Sequence, residues 1–162
     1  MAQYFANLKK ISDPFDNTKE IWQVVQVVAV GNDISANDGT LEDNPNHVDG
    51  ENWCANWFKG GVWKQTHKNG LRKTLAGQGM SYDYAKDKFI GAQNYASWSL
   101  DENDEWQAPV PYPTITTYSA AGVDLAYSIF WDEDNLKWKS LDSSSPNNIF
   151  SWNTDTLSWD QE

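Results

Sequence analysis

Basic residues are scarce in this 162-residue chain: 12 Lys and Arg stand against 23 Asp and Glu, a formal charge of −11. No run of Lys or Arg exceeds two, the loose Lys68–Lys73 region being the densest. That argues against a broad basic face for nucleic-acid phosphates and against adsorption to an anionic membrane surface. Cysteine is scarcer still. Cys54 stands alone, so no internal disulfide can form and stability must come from packing. Long apolar runs are missing too: the longest, Val24–Val30, is broken by Gln26 and is too short to cross a bilayer. The first residues lack the basic-then-apolar order of a secretion signal, so the expectation is a chain made soluble and folded in a cytoplasm.

The chemistry of catalysis is equally thin. Two histidines, His47 and His67, and one cysteine match no familiar zinc spacing. Cys54 falls on the apolar stripe of a predicted helix, which makes it a buried thiol rather than a nucleophile paired with His67. "AGQG" (Ala76–Gly79) is too short to cradle a phosphate and lacks the lysine and following helix. No Asp/Glu pair stands in apolar surroundings that would raise a pKa for acid catalysis. The acidic loops Asp101–Asp104 and Asp132-Glu133-Asp134 lack the twelve-position spacing of a helix-loop-helix calcium site and read as solvated turns. The chain therefore reads as non-enzymatic, with no catalytic residue, metal or cofactor.

What is present is aromatic. Fourteen per cent of the residues are Phe, Trp or Tyr, and ten are tryptophan, enough to build a thin β-structure around few side chains. Tyr4–Leu8 reads as a short strand and Lys9–Lys19, with Pro, Asp and Asn, as a connection. "IWQVVQVVAV" (Ile21–Val30) fits two periods, but its valines favour a strand buried on both sides. Gly31–Asn46 is turn chemistry throughout, a long polar loop. "HVDGENWCANWFKGG" (His47–Gly61) is the one good helix, near 47–59, capped by Asn46 and stopped by Gly60 and Gly61. Trp53, Cys54, Trp57 and Phe58 form its apolar stripe. "VWKQT" (Val62–Thr66) alternates as a strand, and Asn69-Gly70 marks a tight turn between strands.

Paired aromatics then recur. Tyr82 and Phe89 are seven residues apart, Trp98 and Trp106 eight, and Trp131/Trp138 and Trp152/Trp159 seven each. If Trp131 faces Trp138 on a hairpin, Asp132 faces Lys137 and Glu133–Leu136 close a four-residue loop. By the same count Trp152 faces Trp159 and Asn153 faces Ser158. The Trp98/Trp106 interval holds one residue more, which predicts a bulge or longer turn. Facing residues project from one face, so each indole pair makes an apolar slab. A lone hairpin is marginal, and an aromatic pair adds only about 0.5–1.5 kcal/mol beyond burial. Each slab must be covered by core, by another protein, or, if left open, by a stacked sugar. "APVPYPTITTYSAAG" (Ala108–Gly122) reads as a linker or extended crossing segment.

The order of motifs resembles a known family. "MAQYFANL", the valine strand, "WCANWFKGGVWKQT", "RKTLAGQGMSYDYAKDKF" and "SWSLDENDEWQAPVPYP", closed by "WDEDNLKW", cover most of the chain. They look like the small virion structural proteins of marine T4-like cyanophages and related marine phages. Two departures stand out: the polar loop Gly31–Asn46, and a closing hairpin that occurs twice around "SLDSSSPNNI". The resemblance implies a virion protein and brings no catalytic residues with it.

Together these observations predict a mainly β (α+β) protein. A small antiparallel sheet with one helix occupies residues 1–112, a Pro/Ser/Ala linker or extended segment 113–126, and tandem Trp hairpins 127–162. Trp53, Trp57, Phe58, Trp63, Tyr82, Phe89, Trp98 and Trp106 are expected in the core, and Trp131, Trp138, Trp152 and Trp159 as the contact surface for a partner. The expected role is a peripheral capsid decoration or a neck or tail appendage, in the virion and bound to other virion proteins. It would be a homo-oligomer without nucleic-acid or membrane contacts. The alternative is a tail-fibre-associated module that recognises a glycan or host receptor through an exposed aromatic platform.

Overall fold

The computed structural model describes residues 2–36, 39–40, 48–67 and 70–162. The fold is mainly antiparallel β, with a single helix among the described residues. It divides into two compact units, Met1–Gln93 and Asn94–Glu162. The break expected at 112/113 is therefore displaced. The segment 94–112 belongs with the Trp hairpins because its aromatic and apolar side chains pack against them.

In the first unit β1 (Ala2–Ser12) and β2 (Glu20–Gly31) form a long hairpin. The strand at Tyr4–Leu8 thus extends well past the span read from sequence, and the connection shrinks to 13–19. There the Asp13 carboxylate accepts the Phe15 and Asp16 N–H groups at 2.8 and 3.2 Å, and Lys19 pairs with Asp16 at 2.8 Å. The strands β5 (Val62–Thr66), β6 (Ser81–Asp83) and β7 (Lys88–Ile90) complete a sheet of order β5-β1-β2-β6-β7. Two two-residue strands, β3 (Ser35–Ala36) and β4 (Gly39–Thr40), pair within the polar loop.

The double period of β2 has a structural cause. Asn7 pairs with Gln26 but Leu8 pairs with Val24, so Val25 is an extra residue and the alternation changes phase there. Val24 and Val27 consequently share the face of Leu8 and Ala6, while Val28 and Val30 share that of Phe5. Both faces are apolar, as the valine content predicts. Ala6, Leu8, Val24, Ala76, Tyr82 and Phe89 fill one core, and Phe5, Val30, Cys54 and Trp63 fill the other. Beside the bulge the Val24 amide donates to the Met80 carbonyl at 2.7 Å and the Val24 carbonyl accepts from Gly79 at 2.9 Å, so the backbone groups of Val24 are satisfied by the 79–80 segment.

The helix α1 (Val48–Trp57) carries Asp49 and Glu51 in its first turn, where carboxylates complement the dipole. Its predicted cap Asn46, with His47, lies outside the described residues, as does Asn69 of the predicted tight turn. The helix ends in a Schellman arrangement: Gly60 N–H donates to Ala55 O at 2.7 Å and Lys59 N–H to Asn56 O at 3.3 Å. Lys59 itself occupies the left-handed cap position, with φ 57°. After β5 the chain does not return as a strand beside it, contrary to the turn-between-strands expectation. Thr66 is fully buried and its hydroxyl donates to Thr74 O and accepts the Ala76 N–H, which ties residues 74–76 to the end of β5 instead.

The second unit is organised around a four-stranded meander, β12 (Ser128–Asp132), β13 (Lys137–Leu141), β14 (Ile149–Asn153) and β15 (Ser158–Gln161). Two further hairpins precede it, β8 (Ser99–Leu100) with β9 (Trp106–Gln107) and β10 (Thr117–Ala120) with β11 (Val123–Ala126). The stretch 113–126, expected as a linker or extended segment, contains a strand pair over 117–126.

Candidate interaction site

The tryptophan registers are as the spacing predicts: Trp131 faces Trp138, Asp132 faces Lys137, Trp152 faces Trp159 and Asn153 faces Ser158. Within each pair the ring centroids lie 5.1 Å apart, edge to face at 69° and 66°. Tyr82 and Phe89 face each other in the same way in the first unit. Trp98 and Trp106 do not: Trp106 faces Leu100, because the extra loop residue shifts the register. Trp98 instead packs on Trp131 and Trp138, at 6.5 and 6.0 Å.

The expected contact surface proves to be a core. Trp131, Trp138 and Trp152 are at most 7% exposed, packed with Tyr95, Trp98, Ala108, Val110, Ile129 and Trp159. The cover is supplied by the chain itself. Residues 108–116 run across the indoles as a strap, Pro113 being wholly buried. The Trp138 indole N–H donates to Val110 O at 2.9 Å, and that of Trp159 to Ile115 O at 2.8 Å. Tyr112 closes edge-on over Trp138 at 4.9 Å. The third indole is tied differently: Trp131 N–H donates to Glu133 at 2.8 Å, and the same carboxylate accepts the Ser97 amide at 2.9 Å and its hydroxyl at 2.7 Å. The Ser97 bonds hold the Glu133 carboxyl below its usual range.

Aromatic side chains are left exposed in both units, at Phe15, Trp57, Phe58 and Tyr84 in the first and at Tyr112 and Phe130 in the second. Trp57 is 68% exposed and Phe58 43%, so two of the expected core residues are surface residues. The physical reason is that the helix reaches the sheet through Cys54 and Trp53, whereas Trp57, one turn on, covers Trp53 rather than the sheet. Their rings stack at 5.3 Å and 10°, and Phe58 stacks outside Trp63 at 4.9 Å. The other expected core residues fare as follows: Trp63, Tyr82 and Phe89 are buried, and Trp53, Trp98 and Trp106 partly so. Cys54 is wholly buried and its thiol is pushed up to about 12, by desolvation first and the Glu51 charge second.

One polar cluster was not legible in the sequence. Arg72, with φ 53°, reaches between Glu51 (2.8 Å), Gln65 O (2.9 Å) and Asp87 (2.9 Å). Asp87 also accepts the Tyr82 hydroxyl, and the Glu51 carboxylate accepts the Gln65 amide at 2.9 Å. Burial alone would lower the Arg72 pKa, but Glu51 holds it above its usual value. Burial, with the Asp87 carboxylate beside it, pushes the Tyr82 phenol up. These bonds join helix, edge strand, loop and hairpin of the first unit, an arrangement suited to fixing structure. Among the described residues no group of three His, Cys, Asp or Glu side chains is placed to hold a metal ion. No protein-family model, no curated protein and no solved structure matches this chain.

Proposed function

We propose that this chain is a non-enzymatic accessory structural protein of a phage particle, a capsid decoration or a component of a neck or tail appendage. The sequence resemblance supplies the virion context. The observation that carries attachment is Trp57: an indole stacked face to face on Trp53, yet 68% exposed. Ordered, exposed tryptophans are the anchors that dominate protein interfaces, since little side-chain entropy is lost when they are covered. Attachment therefore runs through Trp57 and Phe58 rather than through the four hairpin tryptophans. The acidic surface keeps free copies apart. Mass spectrometry of purified particles tests this directly: the protein is expected in mature virions, and Trp57→Ser is expected to be depleted from them while folding normally. Absence of the wild-type protein from virions overturns the proposal.

The same indole favours a second function, recognition of a host glycan, because its free face is open to a sugar ring. A glycan array separates the two: binding abolished by Trp57→Ser supports recognition, whereas no hits, with co-purification on tail-free capsids, supports the structural role.

A further inference from the structure

Three hairpins in this chain share one loop design. An Asx residue ends the first strand and its side chain accepts amides of the turn: Asp83 from Ala85 and Lys86, Asp132 from Asn135, Asn153 from Asp155 and Thr156. The fourth loop residue then adopts the left-handed conformation, with φ 50° at Asp87, 50° at Leu136 and 51° at Leu157. That position favours Gly or Asn, since a larger side chain crowds the backbone there. Asp87 is accounted for by its bonds to Arg72 and Tyr82. Leu136 and Leu157 have no such account. Both are branched, both sit in the disfavoured conformation, and both are exposed, at 49% and 57%.

The topology brings them together. In the β12-β13-β14-β15 meander the loops 133–136 and 154–157 lie at the same end of the sheet, two strand spacings or roughly 10 Å apart. The charged residues within the two loops, Glu133, Asp134 and Asp155, are all acidic, with Asp134 and Asp155 exposed at the tips, while Lys137 follows Leu136 at the start of β13. A backbone cost accepted twice, at equivalent positions, to hold an apolar side chain in water runs against the interests of the fold and points to use by a partner. We infer that Leu136 and Leu157 form a two-pronged docking site for a protein surface bearing apolar pockets rimmed by lysine or arginine. The acidic rim selects that partner by charge, and disfavours both a second copy of this chain and an anionic membrane. This inference rests on the proposal that the chain attaches to other virion proteins.

The test compares the wild-type chain with a Leu136→Asn/Leu157→Asn double variant of identical charge. Asn suits the left-handed position, so the variant is expected to melt at the same or a higher temperature. A clear fall in melting temperature means that the leucines pack within the unit, and overturns the inference. Particles grown from a phage deleted for the gene and supplied with either version are then compared by mass spectrometry. The double variant is expected to be depleted about tenfold or more, the scale of a lost hot spot. Equal incorporation overturns the tip site and leaves the virion proposal standing. If the wild-type chain is itself absent from particles, the virion proposal fails. The tips are then judged by anisotropy titration of a labelled amphipathic Leu/Lys peptide. Tighter binding by the wild type than by the double variant supports the site, and equal binding overturns it. Self-association of the wild type in sedimentation, lost in the double variant, would assign the tips to a second copy and overturn the inference.

Discussion

The indole N–H of Trp138 donates to the backbone carbonyl of Val110, 28 residues earlier, at 2.9 Å. With the matching bond from Trp159 to Ile115, it converts a proline-rich stretch into the lid of an aromatic core. A buried indole needs an acceptor, and an extended segment rich in proline offers carbonyls with few competing donors. Trp138→Phe keeps most of the ring and removes the donor, and should destabilise the second unit by about 1 kcal/mol. Trp138→Ala should cost about 3–5 kcal/mol by opening a cavity. Denaturant titration followed by near-ultraviolet circular dichroism measures both.

Arg72 satisfies Glu51 and Asp87 together, and Glu51 is largely shielded from solvent. Arg72→Ala leaves Glu51 with only the Gln65 amide at 2.9 Å and Lys64 at 3.4 Å and should destabilise the first unit by about 2 kcal/mol. Arg72→Lys should recover only part of this, since one ammonium cannot reproduce the planar fork. Thermal unfolding of the two variants gives the comparison.

The helix cap offers a gain in stability. Lys59 sits at φ 57° with its side chain in solvent, so Lys59→Gly should stabilise the protein by about 0.5–1 kcal/mol, read as a higher midpoint in guanidinium. An unchanged midpoint would show that the lysine stem compensates for its backbone.

Acid should loosen the second unit through its carboxylates. Asparagine and lysine partners, Asn135 first and Lys139 next, lower Asp132 from 3.8 to about 2, and Ser97 lowers Glu133. A carboxyl whose folded pKa is depressed contributes stability that is fully present above its unfolded value and is lost as the pH falls through the folded one. The Asp132 contribution therefore disappears between pH 3.8 and about 2. Tryptophan emission during acid titration should change in that window, and Glu133→Gln should lessen the pH dependence.

Cys54 should be silent toward a thiol-specific reagent in the native state, because the chain covers it completely and burial keeps the thiol protonated. One equivalent should react once denaturant is added. Rapid native-state labelling would place the thiol in a locally opening region.

What was legible in the sequence was what local geometry decides. Seven-residue spacing alone pins Trp131 against Trp138 and Trp152 against Trp159, since a four-residue loop leaves no other register. The valine strand announces burial on both faces, although the bulge at Val25 shows only as a doubled period. Long-range closure was hidden. Nothing local in Ala108–Thr116 says that it will lie on indoles encoded later, and its prolines mimic a linker. The signal was present in another form: four hairpin tryptophans carry four N–H groups that a core must satisfy. Trp57 and Phe58 follow the helical period of a buried stripe, but Trp57 ends the helix and stacks on Trp53. The Arg72 cluster depends on a positive φ at an arginine, which no residue pattern foretells.

The edge-to-face indoles of the meander have an optical consequence. Chromophores held 5.1 Å apart at 69° and 66° share their excited states, whereas Trp53 and Trp57 lie nearly parallel at 10°. The hairpin pairs should therefore add an exciton couplet to the far-ultraviolet spectrum, superimposed on the weak backbone signal of a β protein. Its disappearance would mark the moment the facing indoles part, without any label being introduced.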